Sequence, residues 1–353
     1  MHTFIQKYLN FIKNFLPGES PAPTIGLDIG VEDCKLVELS KSADGYELVS
    51  WAIEPIKNGD VASSIRAIAG RLKSPVKNFT TAVTGKGTLI RYLDMPRMSI
   101  DDLRKSFSLE IDKYFPFAQD QIYSDCYILD PQGKGNKMSV IASAAKKELI
   151  DARVKLLSEA GYQPNLISLN AVALINAVNT FKAKNVNGKE SVEGILDMGH
   201  SVSSLLILIN GLPRFVRDIF IGGRDFTKKI SSSLSVSAEE AESLKAQPGE
   251  KLDQIISACD QTILNLIQEL KLSIDYFMTE HNKELNKLVL TGGASNFAGL
   301  SSLLKTNLEI PVEAWDPLAH VKKDSITNLK ELNVNVNRLA VALGLAVSAY
   351  DRN

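Results

Sequence analysis

Two short stretches of this 353-residue chain share one chemical grammar: an aspartate closing an apolar run, a glycine two residues on, and a returning apolar run. The first is Thr24-Ile-Gly-Leu-Asp-Ile-Gly30, returning over 35–39. The second is Gly194-Ile-Leu-Asp-Met-Gly199, returning through Val202-Ser-Ser-Leu-Leu-Ile-Leu-Ile209. A glycine in such a turn leaves no Cβ between backbone N–H groups and an approaching phosphate. An aspartate at the strand end is placed to hold the hydrated Mg²⁺ that accompanies a phosphate. A lone Asp-x-Gly is usually only a turn. Here the spacing occurs twice, as Asp28/Gly30 and Asp197/Gly199, and a third glycine turn follows in Lys287-Leu-Val-Leu-Thr-Gly-Gly-Ala294.

Repetition of a supersecondary unit fixes architecture before any single motif does. Two hairpins with the same Asp-x-Gly turn, then a strand–Gly-Gly–helix passage, resemble the actin, Hsp70 and sugar-kinase fold. That resemblance implies an α/β, actin-like ATPase fold, a duplicated ribonuclease-H-like unit whose two related domains close over ATP. Kinases, filaments, chaperones and scaffolds share it, so the fold alone assigns no function. The length suits two to three domains, and 44% hydrophobic with 23% charged residues is enough to build a sizeable core. A net charge of −1 excludes a general attraction for nucleic acid or anionic surfaces. The three cysteines, Cys34, Cys126 and Cys259, are odd in number and far apart, which fits a reducing compartment and neither a disulfide framework nor a metal site. Four scattered histidines argue against a His-based metal site, and no apolar run reaches bilayer length.

The first 16 residues read as an amphipathic helix with Phe4, Tyr8, Phe11 and Phe15 on its apolar face. Pro17-Gly-Glu-Ser-Pro-Ala-Pro23 ends it as a linker. Such a helix lies on a membrane surface, on a partner, or back on its own domain. After the first hairpin come a strand over 47–53, a helix over 61–72 and a strand over 79–83. Residues 88–145 interrupt the half with a strand, a helix capped by Ser99 and two strands around Gly133-Lys-Gly135, a βαββ insertion. Leu103, Phe107, Ile111 and Tyr114 share one helix face. A helix over 148–161 ends at a glycine, and 166–178 passes from strand to helix. The second half continues with a strand over 214–219, a Ser237-capped helix start, a long helix over 252–281, a helix over 297–308 and a buried helix over 338–350. The expected division is therefore 1–23 (helix and linker), 24–87 with 146–190, the insertion 88–145, 191–221 with 286–353, and 222–285.

These stretches together resemble the PilM family of type IV pilus assembly proteins, close in fold to the division protein FtsA. The residues that carry the likeness are Ile25-Gly-Leu-Asp-Ile-Gly30, Met95-Pro-Arg-Met-Ser99 with 110–117, Ala144-Ala-Lys-Lys-Glu148, Ile221-Gly-Gly-Arg-Asp-Phe226, Glu239-Glu-Ala-Glu-Ser-Leu-Lys245 and Leu290-Thr-Gly-Gly-Ala-Ser-Asn296. The Met-Pro-Arg-Met insertion discriminates most, since kinases and Hsp70 proteins lack it. The resemblance implies ATP with Mg²⁺ between the halves. Asp28, Gly30 and Lys35 would form the first phosphate hairpin, and Asp197, Gly199 and Ser201 the second. Gly223, Glu242 and Lys245 would flank the nucleoside, Gly292, Gly293 and Ala294 would form the adenosine turn, and Asp28 and Asp197 would serve the metal. It also implies a groove between the first domain and the insertion, lined by Arg104, Phe107, Ile111, Tyr114, Phe115 and Phe117. That groove would receive the N-terminal peptide of a PilN-type inner-membrane protein. Other assembly-platform proteins are implied partners, at the cytoplasmic face of the inner membrane, with peripheral membrane association and a homo-oligomer both allowed.

The chain departs from the family in two places. Gly30-Val-Glu-Asp-Cys34 stands where hydroxyl residues usually follow the glycine, and two carboxylates beside a triphosphate repel it. Ile167-Ser-Leu-Asn-Ala-Val-Ala173 is uncharged where hydrolysing relatives orient a water, and neither Ser168 nor Asn170 is a base near neutral pH. The expectation is a nucleotide-responsive scaffold with little or no hydrolysis. Two alternatives remain: an actin-fold ATPase or sugar kinase, and an FtsA-like membrane-tethering polymer.

Overall fold

The computed structural model describes residues 22–74, 78–133, 135–182 and 190–350. The expected N-terminal helix, with Phe4, Tyr8, Phe11 and Phe15, lies outside the described residues. In the first half, strands β1 (Thr24–Ile29), β2 (Asp33–Ser42) and β3 (Gly45–Pro55) form an antiparallel meander, and β4 (Asn78–Val83) and β8 (Gln163–Leu169) extend it in parallel, in the order β3-β2-β1-β4-β8. The second half repeats the plan with β9 (Val192–Met198), β10 (Ser203–Ile209), β11 (Leu212–Ile219), β12 (Lys287–Thr291) and β13 (Val312–Ala314), in the order β11-β10-β9-β12-β13. The duplication inferred from two aspartates and two glycines is thus one of whole sheets.

The returning strands have near-continuous apolar runs because both faces of each sheet are covered. Along β10, Leu205 and Ile207 face one core and Leu206 and Leu208 another, as the strand's alternation requires. The outer face of the first sheet packs on α1 (Val61–Ala69) and α4 (Lys147–Glu159), joining Leu27, Leu36 and Phe79 to Ile65, Ile68 and Leu157. The outer face of the second sheet packs on α6 (Gly223–Leu234), α8 (Leu252–His281) and α9 (Leu300–Leu308). Between the sheets lie α5 (Asn170–Phe181) and α11 (Ala340–Ser348), whose core takes Val37 and Leu39 from one sheet and Leu206 and Val289 from the other. Two glycines permit that fit: a Cβ on Gly26 would stand 1.9 Å from Ala342 O, and one on Gly344 would stand 1.8 Å from Ala173 O. Thr24 Oγ1 donates to Ala346 O at 2.8 Å, so the last helix holds the first strand.

The insertion is the sheet β5-β7-β6 (Thr88–Pro96, Lys137–Lys146 and Ile122–Asp130), covered by α2 (Ile100–Leu109) and α3 (Ile111–Tyr114). Ser99 caps α2, accepting from Asp102 N at 3.1 Å. Phe107, Ile111 and Phe115 are buried in this module's own core with Leu103 and Val140, at 3%, 4% and 3% exposure. Tyr114 stacks on Phe107, and Arg104 pairs with Asp125 at the surface. Of the six residues expected at a peptide groove, Phe107, Ile111 and Phe115 thus help to seal the module, and Phe117 lines the cavity described below. Two boundaries also shift. Helix α9 starts at Leu300 rather than 297 because Gly299 sits at φ +83°, and α11 is shorter than 338–350 because 336–339 is a 3₁₀ turn.

Candidate functional site

The two hairpins meet at the mouth between the halves and close in the same way. Gly30 N donates to Asp33 O at 2.9 Å, and Gly199 N to Val202 O at 3.0 Å. A Cβ on either glycine would come within 2.9 and 2.8 Å of that same carbonyl. Glycine is therefore required by the turn itself, in addition to leaving room for a ligand.

The charge of Asp28, on the first hairpin, bears on Asp197, on the second. Burial, reinforced by Asp28 and opposed by Lys35, pushes the Asp197 carboxyl up to about 7. Lys35 Nζ lies 3.4 Å from Asp28 Oδ2 and also pairs with Asp33. Burial alone would lower the Lys35 pKa, but Asp28 and Asp33 overcome it and raise it. Asp33 pairs a second time, with Arg338 from the second half. Burial would raise the Asp33 pKa, yet the charges of Lys35 and Arg338 and their hydrogen bonds hold it below the usual carboxylate value. Glu32 Oε1 meets His200 Nε2 at 3.2 Å.

The second hairpin is anchored by backbone. Gly223 N donates to Gly199 O at 2.9 Å and Arg224 N to His200 O at 2.7 Å, so the start of α6 is spent on the turn holding Ser201. Gly222, just before it, would drive a Cβ to 2.7 Å from Ser201 N. From α7 (Ala238–Ala246), buried Lys245 donates to Gly223 O at 3.3 Å, Thr227 Oγ1 at 3.0 Å and Glu242 Oε1 at 2.8 Å. These are three acceptors for three ammonium protons. Gly292, at φ +85°, packs its Cα against Asp197: a Cβ there would lie 2.5 Å from Asp197 Oδ1 and from Met198 O. Gly293 and Ala294 follow in a 3₁₀ turn. Asn337 binds this turn, accepting from Gly292 N at 2.9 Å and donating to Ser295 Oγ and Asn296 Oδ1 at 2.8 Å. All twelve expected nucleotide residues thus line the two hairpins, the α6–α7 corner or the Gly292 turn.

Sequence reasoning missed Arg338, Asn337, His200 and Arg153. Arg153 is a largely buried guanidinium whose pKa burial lowers against the pull of Asp28, and its Nη1 has no hydrogen-bond partner among the described residues. These residues lie outside any glycine motif, and only the folded chain brings 338 beside 33. Among the described residues no group of three or more His, Cys, Asp or Glu could hold a metal ion directly.

A second site lies beyond the cleft. A cavity of about 490 Å³ is lined from the first half by 83–87 and 169–171, from the insertion by 88–91 and Phe117, and from the second half by 216–218 and Phe220. Its walls are mostly apolar (Val83, Leu89, Ile90, Leu169, Val216), and Lys86 lies over the ring of Phe220, which is 56% exposed. Strands β5 and β11, both outermost in their sheets, border it.

Comparison with known proteins agrees with this fold. One solved structure, described as a PilM–PilN type IV pilus biogenesis complex, superimposes with a TM-score of 0.80 at 25% identity, covering 92% of this chain and 98% of that one. The ethanolamine utilization protein EutJ from Carboxydothermus hydrogenoformans is similar in fold alone, with a TM-score of 0.52 at 14% identity and 98% of both chains covered. Among the described residues no helix is long and apolar enough to cross a membrane. Residues 26–350 match the family described as type IV pilus assembly protein PilM, and the chain, with its actin-like ATPase fold, belongs to that family.

Proposed function

We propose that this protein is a nucleotide-binding scaffold of the type IV pilus machine, working at the cytoplasmic face of the inner membrane. In this reading it holds the N-terminal peptide of a PilN-type membrane protein in the cavity above the cleft. The observation that carries the reading is that both halves and the insertion line this one cavity. An occupant touches all three, so any movement of the halves around a nucleotide changes its fit. Outermost strands on two sides offer unpaired backbone groups to an extended peptide, and the apolar walls offer its side chains pockets.

The cleft suits Mg-ATP in its charges: Asp28 bears on the buried Asp197 carboxyl and helps to push its pKa up, a repulsion that a divalent cation relieves. When bound, the ion would draw Asp197 into its charged form. Glycines 30 and 199 expose the turns to phosphate oxygens, and the Lys245–Glu242–Thr227 group fixes the corner beside the nucleoside.

Titration with a synthetic PilN-type N-terminal peptide tests the scaffold. Phe117→Ala and Phe220→Ala are expected to weaken binding at least ten-fold, the exposed Phe220→Ala with stability nearly unchanged and Phe117→Ala at a modest cost because its ring packs against the insertion's core, whereas Phe115→Ala costs about 3 kcal/mol of stability as a core truncation. Equal peptide affinity in the two cavity variants and wild type refutes the site. A second reading, weak ATP hydrolysis, is favoured by the near-neutral Asp197, which lies in the range of a general base. Steady phosphate release abolished by Asp197→Asn would establish it.

A further inference from the structure

The first hairpin carries two consecutive acids, and both reach across the cleft. Asp33 joins Lys35 of its own strand to Arg338 of the second half. Arg338 is itself held: Nη1 donates to Asn335 Oδ1 at 2.8 Å, and its side chain passes Gly293, where an added Cβ would touch it at 3.6 Å. Its chain neighbour Asn337 is bonded into the Gly292 turn. Asp33 is thereby tied to the part of the second half that adjoins Asp197. Glu32 reaches a different point, His200 of the second hairpin. Lys35 and Arg338, brought together from opposite halves, form an anion-binding pair, and the anion now seated between them belongs to the protein.

We infer that Asp33 is the resident occupant of an anion site formed by Lys35 and Arg338, latching the halves together without ligand, and that a phosphate group of an entering nucleotide displaces it. This rests on the nucleotide-binding reading of the cleft. The exchange replaces one anion by another, so the two cations remain neutralised throughout. With Asp33 left in place, a phosphate would enter beside a fixed negative charge and find both cations already satisfied. The side chain is free to turn away without opening the hairpin, because the bond that closes it uses the Asp33 backbone carbonyl. Glu32, 62% exposed in its side chain, adds a weaker latch that water screens.

The experiment compares the full-length wild type with Asp33→Asn, which keeps the side-chain size. Hydrogen–deuterium exchange without nucleotide reads the latch at residues 30–35, 199–203 and 292–296. Calorimetry with Mg-ATP reads the competition. Asp33→Asn is expected to exchange several-fold faster at these segments and to bind Mg-ATP at least ten-fold more tightly. Arg338→Gln breaks the same pair from the other side, and is expected to speed exchange equally but to weaken Mg-ATP binding. That opposite sign separates displacement from general loosening and keeps the test alive if one variant folds poorly. Unchanged exchange in both variants overturns the inference, as does faster exchange with unchanged or weaker binding by Asp33→Asn where wild type binds. Faster exchange with no Mg-ATP heat from any protein supports the latch and refutes the nucleotide reading instead.

Discussion

The two hairpins are built on one backbone and furnished differently. Each closes with a glycine N–H on the carbonyl three residues ahead, and each puts an aspartate two residues before that glycine. At the position of Asp33 the second hairpin has Val202, and at the position of Lys35 it has Ser204, which donates to Asp218 at 2.6 Å. The first hairpin therefore sits in a network of full charges, while the second is surrounded by backbone and glycine contacts with its carboxyl poised near neutrality. Duplication preserved the turn, whose sterics allow little else, and let the side chains diverge. An account of this cleft that treats the hairpins as equivalent phosphate loops misplaces the charge.

The contrast is broken most severely at the glycine that serves the second hairpin. Gly292→Ala places a methyl 2.5 Å from Asp197 Oδ1 at a left-handed φ, and is expected to cost about 3 kcal/mol, read from denaturant midpoints. Gly293→Ala, which meets only the Arg338 side chain at ordinary contact distance, is expected to cost under about 1 kcal/mol. Next in size is Arg338→Ala, expected to cost about 1–2 kcal/mol because it leaves a partly buried Asp33 with one cation instead of two. A pH series then distinguishes the hairpins. The Asp197 pKa is raised from about 3.8 unfolded to about 7 folded, so between those values the folded state binds the extra proton. Its stabilising contribution is complete below about pH 4 and declines as pH rises to about 7. Asp197→Asn is expected to flatten that decline in a Tm-versus-pH profile, whereas Asp33, shifted downward, contributes stability that fades only as the solution becomes acidic. Smallest is Glu32→Gln, expected within about 0.5 kcal/mol of wild type, because its link to His200 is solvent-exposed.

Much of this was legible in the sequence because it rests on local rules. Alternating or continuous apolar runs marked all ten strands of the two large sheets save the short β13, and the Ser99 and Ser237 caps formed as their residue types predict. The long helix over 252–281 matched its apolar stripe to the residue. Contacts between distant parts of the chain were not legible. The pairing of Asp33 with Arg338, 305 residues away, had no local signal. An apolar helix face has the same pattern whether it meets a partner or its own sheet, so the sequence did not show that Phe107, Ile111 and Phe115 pack within the insertion. The cavity, assembled from five separate stretches of chain, left no signature in any of them.

The placement of α11 also bears on how the chain is made. This helix fits against Gly26 of the first strand and the α5 backbone, and Tyr350 donates to Leu39 O at 2.8 Å. Residues 340–350 are synthesised long after β1, so the first strand leaves the ribosome well before the helix that packs on it. The first half must then remain incomplete until residues 340–350 have emerged. Its maturation is tied to the emergence of α11 rather than to that of its own strands, a contact of long sequence separation that closes late.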